Sequence, residues 1–340
     1  MISALSQLQR LTHYNYSTYD FHNIDFRLYF AYYEGCMSAA SFNLAPPVSP
    51  WLEMGAYEAL WSEVGAWFKS LAEKFQAHPG ALPSDFIPEK DAYDFSKRTW
   101  DILKKGGVRR FGVRVHGSGE YPARLRVAEY PVEVIYYQGW WNLIEARSVA
   151  VVGTRQPSDS GRQMAELIAR GLVEDKYTIV SGLARGIDTV AHETAIKLKA
   201  PTIAVIGTPL SHCYPKENCE LQRKIAEEYL LISQVPVCRY VDQNFKLNSR
   251  FFPERNITMS ALTDATVIVE AGDTSGTLIQ ARAALKQGRP LFIMENCFNQ
   301  PGVKWPNSYL EKGAIRVKNY DEIRSHLAKL SRNPGPAAGN

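Results

Sequence analysis

The stretch Val149-Ala150-Val151-Val152-Gly153-Thr154-Arg155-Gln156-Pro157-Ser158 decides the fold class. Its four apolar residues, three of them β-branched, show no polar alternation, which predicts a short strand buried on both faces. A glycine turn follows, and then an amphipathic helix over 161–174. The same unit recurs downstream. Strands are predicted at 177–180, 202–206, 230–232, 266–270 and 290–294, with helices at 188–199, 218–228, 278–287 and 320–330 between and after them. Regular alternation of this kind implies an α/β fold with a doubly wound, mostly parallel Rossmann-like sheet.

Upstream the texture changes. Strand-like pieces at 111–115 and 132–137 flank Tyr121-Pro122. Residues 1–110 read as an aromatic-rich, helical N-terminal region, an interaction module in the making. Aromatics crowd Tyr14 to Tyr33, and Pro46, Pro47 and Pro50 then break the chain. Tyr57, Leu60, Trp61, Val64, Phe68, Leu71 and Phe75 recur at helical spacing, which predicts one amphipathic helix packed into a local core. His78-Pro79-Gly80 stops it, and a further helix over 91–105 ends at Gly106-Gly107. The division is therefore 1–110, a core over 111–330, and a disordered tail over 331–340 that holds Pro334-Gly335-Pro336.

Of the 340 residues 45% are hydrophobic and 22% charged, values of an ordinary globular protein, and the net charge is +4. The positive excess sits C-terminally, with 25 basic against 20 acidic residues from Glu145 onward. The five cysteines, Cys36, Cys213, Cys219, Cys238 and Cys297, form no C-x-x-C pair, so reduced thiols are expected, with neither a disulfide framework nor a metal site. No run of eighteen apolar residues and no basic-then-apolar leader occurs, which predicts a cytoplasmic protein without membrane attachment.

In a doubly wound sheet ligands bind beyond the carboxyl ends of the strands, so the residues there are the candidates. After the first strand stand Gly153, Thr154, Arg155 and Ser158. A helix N-terminus offers free N–H groups to an anion there, and a guanidinium forks onto phosphate. An ordinary tight turn with Ser158 or Asp159 as N-cap fits the same residues. The second strand leads into Ser181-Gly182-Leu183-Ala184-Arg185-Gly186-Ile187-Asp188. Asp188 reads as an N-cap or turn anchor rather than a general base, and His192 as a packed helix residue rather than a catalyst. Next come Tyr214, able to stack on a base, Lys216, able to pair with a phosphate, and Asn218. Phe252-Pro253-Glu254-Arg255-Asn256 and Ser275-Gly276-Thr277 close the series, the last as a helix start suited to an anion. Neither G-x-G-x-x-G nor a Walker loop is present, so no nucleotide cofactor is implied. Several anion-suited turns on one sheet edge would suit a row of phosphates.

The ordered motifs V-V-G-T-R-x-x-S, S-G-L-A-R-G-I-D-x-x-A-H, T-I-A-V-I-G-T-x-L-x-x-x-Y-P-x-x-N, F-P-x-R-N and V-I-V-E-A-x-x-x-S-G-T-L resemble the signature series of the DprA/Smf family. The likeness runs from about Tyr121 to Leu327. It implies a single-stranded-DNA-binding protein rather than an enzyme, a homodimer, and a RecA-type recombinase as partner in recombination and transformation. It assigns phosphates to Arg155, Arg185, Lys216 and Arg255, with Gly153, Ser158, Ser181, Gly182, Asn256, Ser275 and Gly276 shaping the pocket. Ile257 stands where the family usually carries a second arginine, and the N-terminal region lacks a helix-hairpin-helix glycine turn.

Two other readings fit parts of the pattern. A phosphoribohydrolase-like enzyme would need a glutamate where Gln280 stands, and an amide cannot transfer a proton as general acid or base. A specialised regulator or antitoxin, with a toxin as partner in phage defence, fits the divergent aromatic N-terminus. The dimer contact is expected on the apolar strand and helix near Leu291 to Met294.

Overall fold

The computed structural model describes residues 47–332 except 127, 129, 274, 300 and 301. The aromatic stretch from Tyr14 to Tyr33 and the tail beyond 332 lie outside the described residues. The described residues from Ser49 to Arg332 fall in one compact unit.

In chain order the helices are α1 Pro50–Ser62, α2 Phe68–Gln76, α3 Glu89–Lys105, α4 Ala123–Arg126, α5 Asp159–Glu174, α6 Ile187–Lys197, α7 Cys219–Glu228, α8 Val237–Asp242, α9 Phe245–Asn248, α10 Phe251–Leu262, α11 Thr277–Lys286, α12 Trp305–Leu310 and α13 Tyr320–Arg332. The strands are β1 Gly112–Val115, β2 Val134–Gly139, β3 Ser148–Val152, β4 Thr178–Ser181, β5 Thr202–Ile206, β6 Leu230–Ser233, β7 Ala265–Ile268, β8 Leu291–Met294 and β9 Ile315–Val317.

All nine strands described here form one sheet in the order β1-β2-β6-β5-β4-β3-β7-β8-β9. The seven from β6 to β9 run parallel, while β1 and β2 add on antiparallel beside β6. The doubly wound Rossmann-like class is thus observed. Strand β3 shows why its run carries no polar residue: Val149 and Val151 join the core under α5, α6 and α13, and Ala150 and Val152 join the core on the opposite face.

The N-terminal helices belong to that second core. The buried Glu58 carboxylate of α1 accepts from Val237 N at 2.7 Å, Cys238 N at 2.9 Å and the Tyr136 hydroxyl of β2. Burial raises its pKa, and these three donors oppose the rise.

Four expectations are corrected. The single helix from Tyr57 to Phe75 is two, α1 and α2, because the chain turns at Gly65 with φ +81°; Val64, counted in the apolar stripe, is fully exposed. Phe252 to Asn256 is not a loop but the start of α10, since a proline is tolerated in a helix's first turn. Leu291 to Met294 cannot meet a second copy: β8 is buried, with β9 bonded to its outer side and Phe292 packed among the residues under α13. Finally, Cys213 and Cys219 are joined in a disulfide. The turn between β5 and α7 brings their Cα atoms to 5.4 Å, a bonding distance that spacing along the sequence did not reveal.

Candidate nucleic-acid interface

The chain runs from β3 outward through β4 and β5 to β6, then returns to lay β7 on the other side of β3. The carboxyl ends of β3 and β7 therefore flank the switch point, where a crevice forms between loops that diverge. The loop after β3 is held from three sides. Thr154 N donates to Glu270 O at 2.6 Å, Ile187 N to Thr154 O at 3.3 Å, and Thr277 Oγ1 to Gly153 O at 3.2 Å. Arg155, next in the chain, is exposed and pairs with no described residue.

Ser158 is the N-cap of α5 and accepts from Gly161 N at 3.0 Å. Its own hydroxyl donates to Glu270 Oε2 at 2.7 Å and its N–H to Glu270 Oε1 at 3.2 Å. The helix N-terminus expected to hold a phosphate thus already holds a carboxylate. This is a correction to the sequence reading, which quoted Glu270 within its motif without giving it a role. Its signal was visible: it is the acid that ends the apolar run Ala265-Thr266-Val267-Ile268-Val269 at the switch point.

The loop after β4 closes on itself. Asp188 accepts from Gly182 N at 3.1 Å and Ala184 N at 3.3 Å, the turn-anchor role expected of it. Its burial raises its pKa while Arg255 opposes the rise. Ser181 is fully buried and donates to Val151 O at 2.7 Å, so it faces the sheet. Arg185 is exposed and ion-paired with Glu217. Asn218, nearly buried, donates to Leu183 O at 2.9 Å, Ala184 O at 3.3 Å and Thr189 Oγ1 at 2.9 Å, joining the loops after β4 and β5.

Beside it Lys216 is exposed, and Tyr214, 38% exposed, lies 5.2 Å from the Phe252 ring. Arg255 is turned inward. It donates to the carbonyls of Gly182 and, at 2.6 Å, Val205, and through Nε to Asn256 Oδ1 at 2.8 Å. Burial draws its pKa down to about 10, with Asp188 opposing, so it remains cationic at neutral pH inside the wall rather than at the surface. Asn256 Nδ2 reaches Gly276 O at 3.0 Å, and Ser275 donates to Thr277 Oγ1 at 2.9 Å. Thr274 lies outside the described residues.

The structure therefore sorts the candidates. Arg155, Arg185, Lys216 and Tyr214 stand at the surface, with Phe252 half-buried behind them. Gly182, Ser181, Asn218, Arg255, Asn256 and Thr277 lock the loops together. His192 belongs to neither set: it is fully buried, bonded to Thr202 Oγ1 at 2.8 Å, and burial pushes its pKa to about 3, which leaves it neutral. Gln280 is buried and donates to Thr266 Oγ1 at 3.3 Å, inside the core. Among the described residues no cluster of His, Cys, Asp and Glu could hold a metal ion, and no helix is long and apolar enough to cross a membrane.

Fold and edge define a doubly wound α/β protein whose strand ends carry the exposed cations Arg155, Arg185 and Lys216 and the exposed ring of Tyr214. The family model for DNA recombination-mediator protein A matches residues 112–328, and the chain belongs to that family. It is 32% identical over 211 residues to the DNA processing protein DprA of Bacillus subtilis, covering 62% of this chain and 69% of that one. Against the Smf protein of Escherichia coli it is 33% identical over 207 residues, covering 61% of this chain but only 54% of the relative. The X-ray structure of Streptococcus pneumoniae DprA superposes with a TM-score of 0.61 at 26% identity, over 82% of this chain and 98% of the other. Helicobacter pylori DNA processing protein A, solved for its single-stranded-DNA binding mode, gives 0.55 at 28% identity over 64% and 96%.

Proposed function

We propose that the chain binds single-stranded DNA along the edge formed by the loops after β3, β4 and β5, without catalysis and without strong sequence preference. The observation that carries this reading is the exposure of Arg155, Arg185 and Lys216 beside Tyr214, on loops fixed to one another by Asn218 and Arg255. Cations spaced along a rim suit successive phosphates, and an exposed ring gives a base a stacking face. Relatives named for DNA processing, and one solved for single-stranded-DNA binding, support the same assignment.

In this reading the protein delivers bound strand to a RecA-type recombinase, and two copies act together as a homodimer through a surface other than β8. Titration of a labelled oligodeoxythymidine at low salt tests the binding itself. Three phosphate contacts on a single strand correspond to a slope of about −2 in log K against log salt. Absence of binding at micromolar protein would sink the proposal.

A further inference from the structure

We propose that Cys213 and Cys219 form a thiol–disulfide exchange site that governs the loop between β5 and α7. The bonded pair encloses Tyr214, Pro215, Lys216, Glu217 and Asn218. Of these, Tyr214 and Lys216 belong to the exposed rim, Glu217 holds Arg185, and Asn218 ties this loop to the one after β4. This short segment gathers several groups of the candidate interface, and its two ends meet in a single covalent bond.

The remaining described cysteines are placed differently. Cys238 and Cys297 are buried thiols whose pKa is pushed by burial to about 12, so neither offers a thiolate at neutral pH. Cys213 and Cys219 are each only half-buried, in the loop between β5 and α7. Exchange is thereby selective for the one pair that borders the interface.

The step balances without any group from the protein beyond the pair. A thiolate of a low-molecular-weight thiol attacks one sulfur, forming a mixed disulfide and releasing the other cysteine as thiolate. A second molecule of the thiol resolves the mixed disulfide. The net change is one protein disulfide and two thiols giving two protein thiols and one small disulfide, and it runs backward when the small disulfide is in excess. Oxidised, the loop is a closed ring whose freedom is already removed; reduced, Tyr214 and Lys216 must be ordered when they engage a ligand.

Peptide mapping after differential alkylation in glutathione buffers of graded ratio reads the exchange directly. Cys213 and Cys219 should switch together while Cys238 and Cys297 stay as thiols; a pair unmoved across all ratios would overturn the site. The second arm rests on the proposed DNA-binding reading. The oxidised full chain should bind a labelled oligodeoxythymidine about three- to tenfold more tightly than the phosphine-reduced chain. Cys213→Ser and Cys219→Ser should match the reduced protein and ignore reductant. Equal affinity in the two redox states would overturn control of the interface. No binding in either state would defeat the proposed function and this arm together, with the glutathione mapping still deciding the exchange site on its own.

Discussion

The carboxylate of Glu270 sits on the N-terminus of α5, bonded to both the N–H and the hydroxyl of Ser158. A helix start carries a partial positive charge and unpaired N–H groups, which in nucleotide-binding proteins of this architecture meet a phosphate. Here the chain supplies its own anion from the strand on the other side of the switch point. In the proposed reading, ligand phosphates are left to the exposed cations further out, while the loop after β3 is pinned to the end of β7.

Gly161 makes that contact sterically open. A Cβ there would lie 1.9 Å from Glu270 Oε2. Glu270→Ala should cost about 1–3 kcal/mol of stability through the lost charge-assisted bonds. Gly161→Ala should destabilise the native protein by displacing the carboxylate. In the Glu270→Ala background the same change should stabilise by about 0.5–1 kcal/mol, as alanine does within a helix. Urea unfolding of the four proteins reads this reversal of sign, and additive losses would refute the contact.

Much of this arrangement could be read before the structure. Strands β3, β4, β5, β7 and β8 announce themselves through unbroken apolar runs, and the order of turns places Arg155, Arg185 and Lys216 at one edge. What stayed hidden depended on partners distant in sequence. Arg255 looks like any loop cation until Gly182 and Val205 are seen to surround it. Strand β9 has three residues, too few for a period to show, yet it is what covers β8. The Cys213–Cys219 bond depends on how a turn folds, not on how many residues it spans.

Arg155 tests the rim. Its side chain is exposed and pairs with no described residue, so Arg155→Ala should leave thermal stability within about 0.5 kcal/mol. Oligonucleotide affinity should fall by about 1.5–3 kcal/mol, the range of a hydrogen bond to a charged group. Arg155→Ala combined with Lys216→Ala should lose more, and each change should flatten the salt slope by roughly 0.7. Wild-type binding by a folded Arg155→Ala protein would place the phosphate site elsewhere.

Arg255 should behave in the opposite way. Its guanidinium is buried, satisfies two backbone carbonyls and faces the buried Asp188. Arg255→Ala leaves that carboxylate without its compensating charge, a change worth about 3–5 kcal/mol of stability. A lowered urea midpoint should therefore precede any effect on DNA. A variant as stable as wild type that only loses DNA would return Arg255 to the surface set.

His192 gives the fold a defined acid sensitivity. Its folded pKa of about 3 lies below its unfolded value of 6.5, because burial disfavours the imidazolium. Above pH 6.5 both states are neutral there and the histidine imposes no pH dependence. Below it the unfolded chain binds the proton and the folded one does not, so stability falls as pH drops from 6.5 toward 3. The loss reaches about 2 kcal/mol by pH 5. His192→Gln can still bond Thr202 but cannot titrate, so its stability at neutral pH should be lower while its decline from pH 6.5 to 5 should be shallower. Urea midpoints at half-unit steps across that window measure both slopes. Parallel slopes for the two proteins would mean that His192 is protonated in the folded state after all, and that the site beneath β4 admits water.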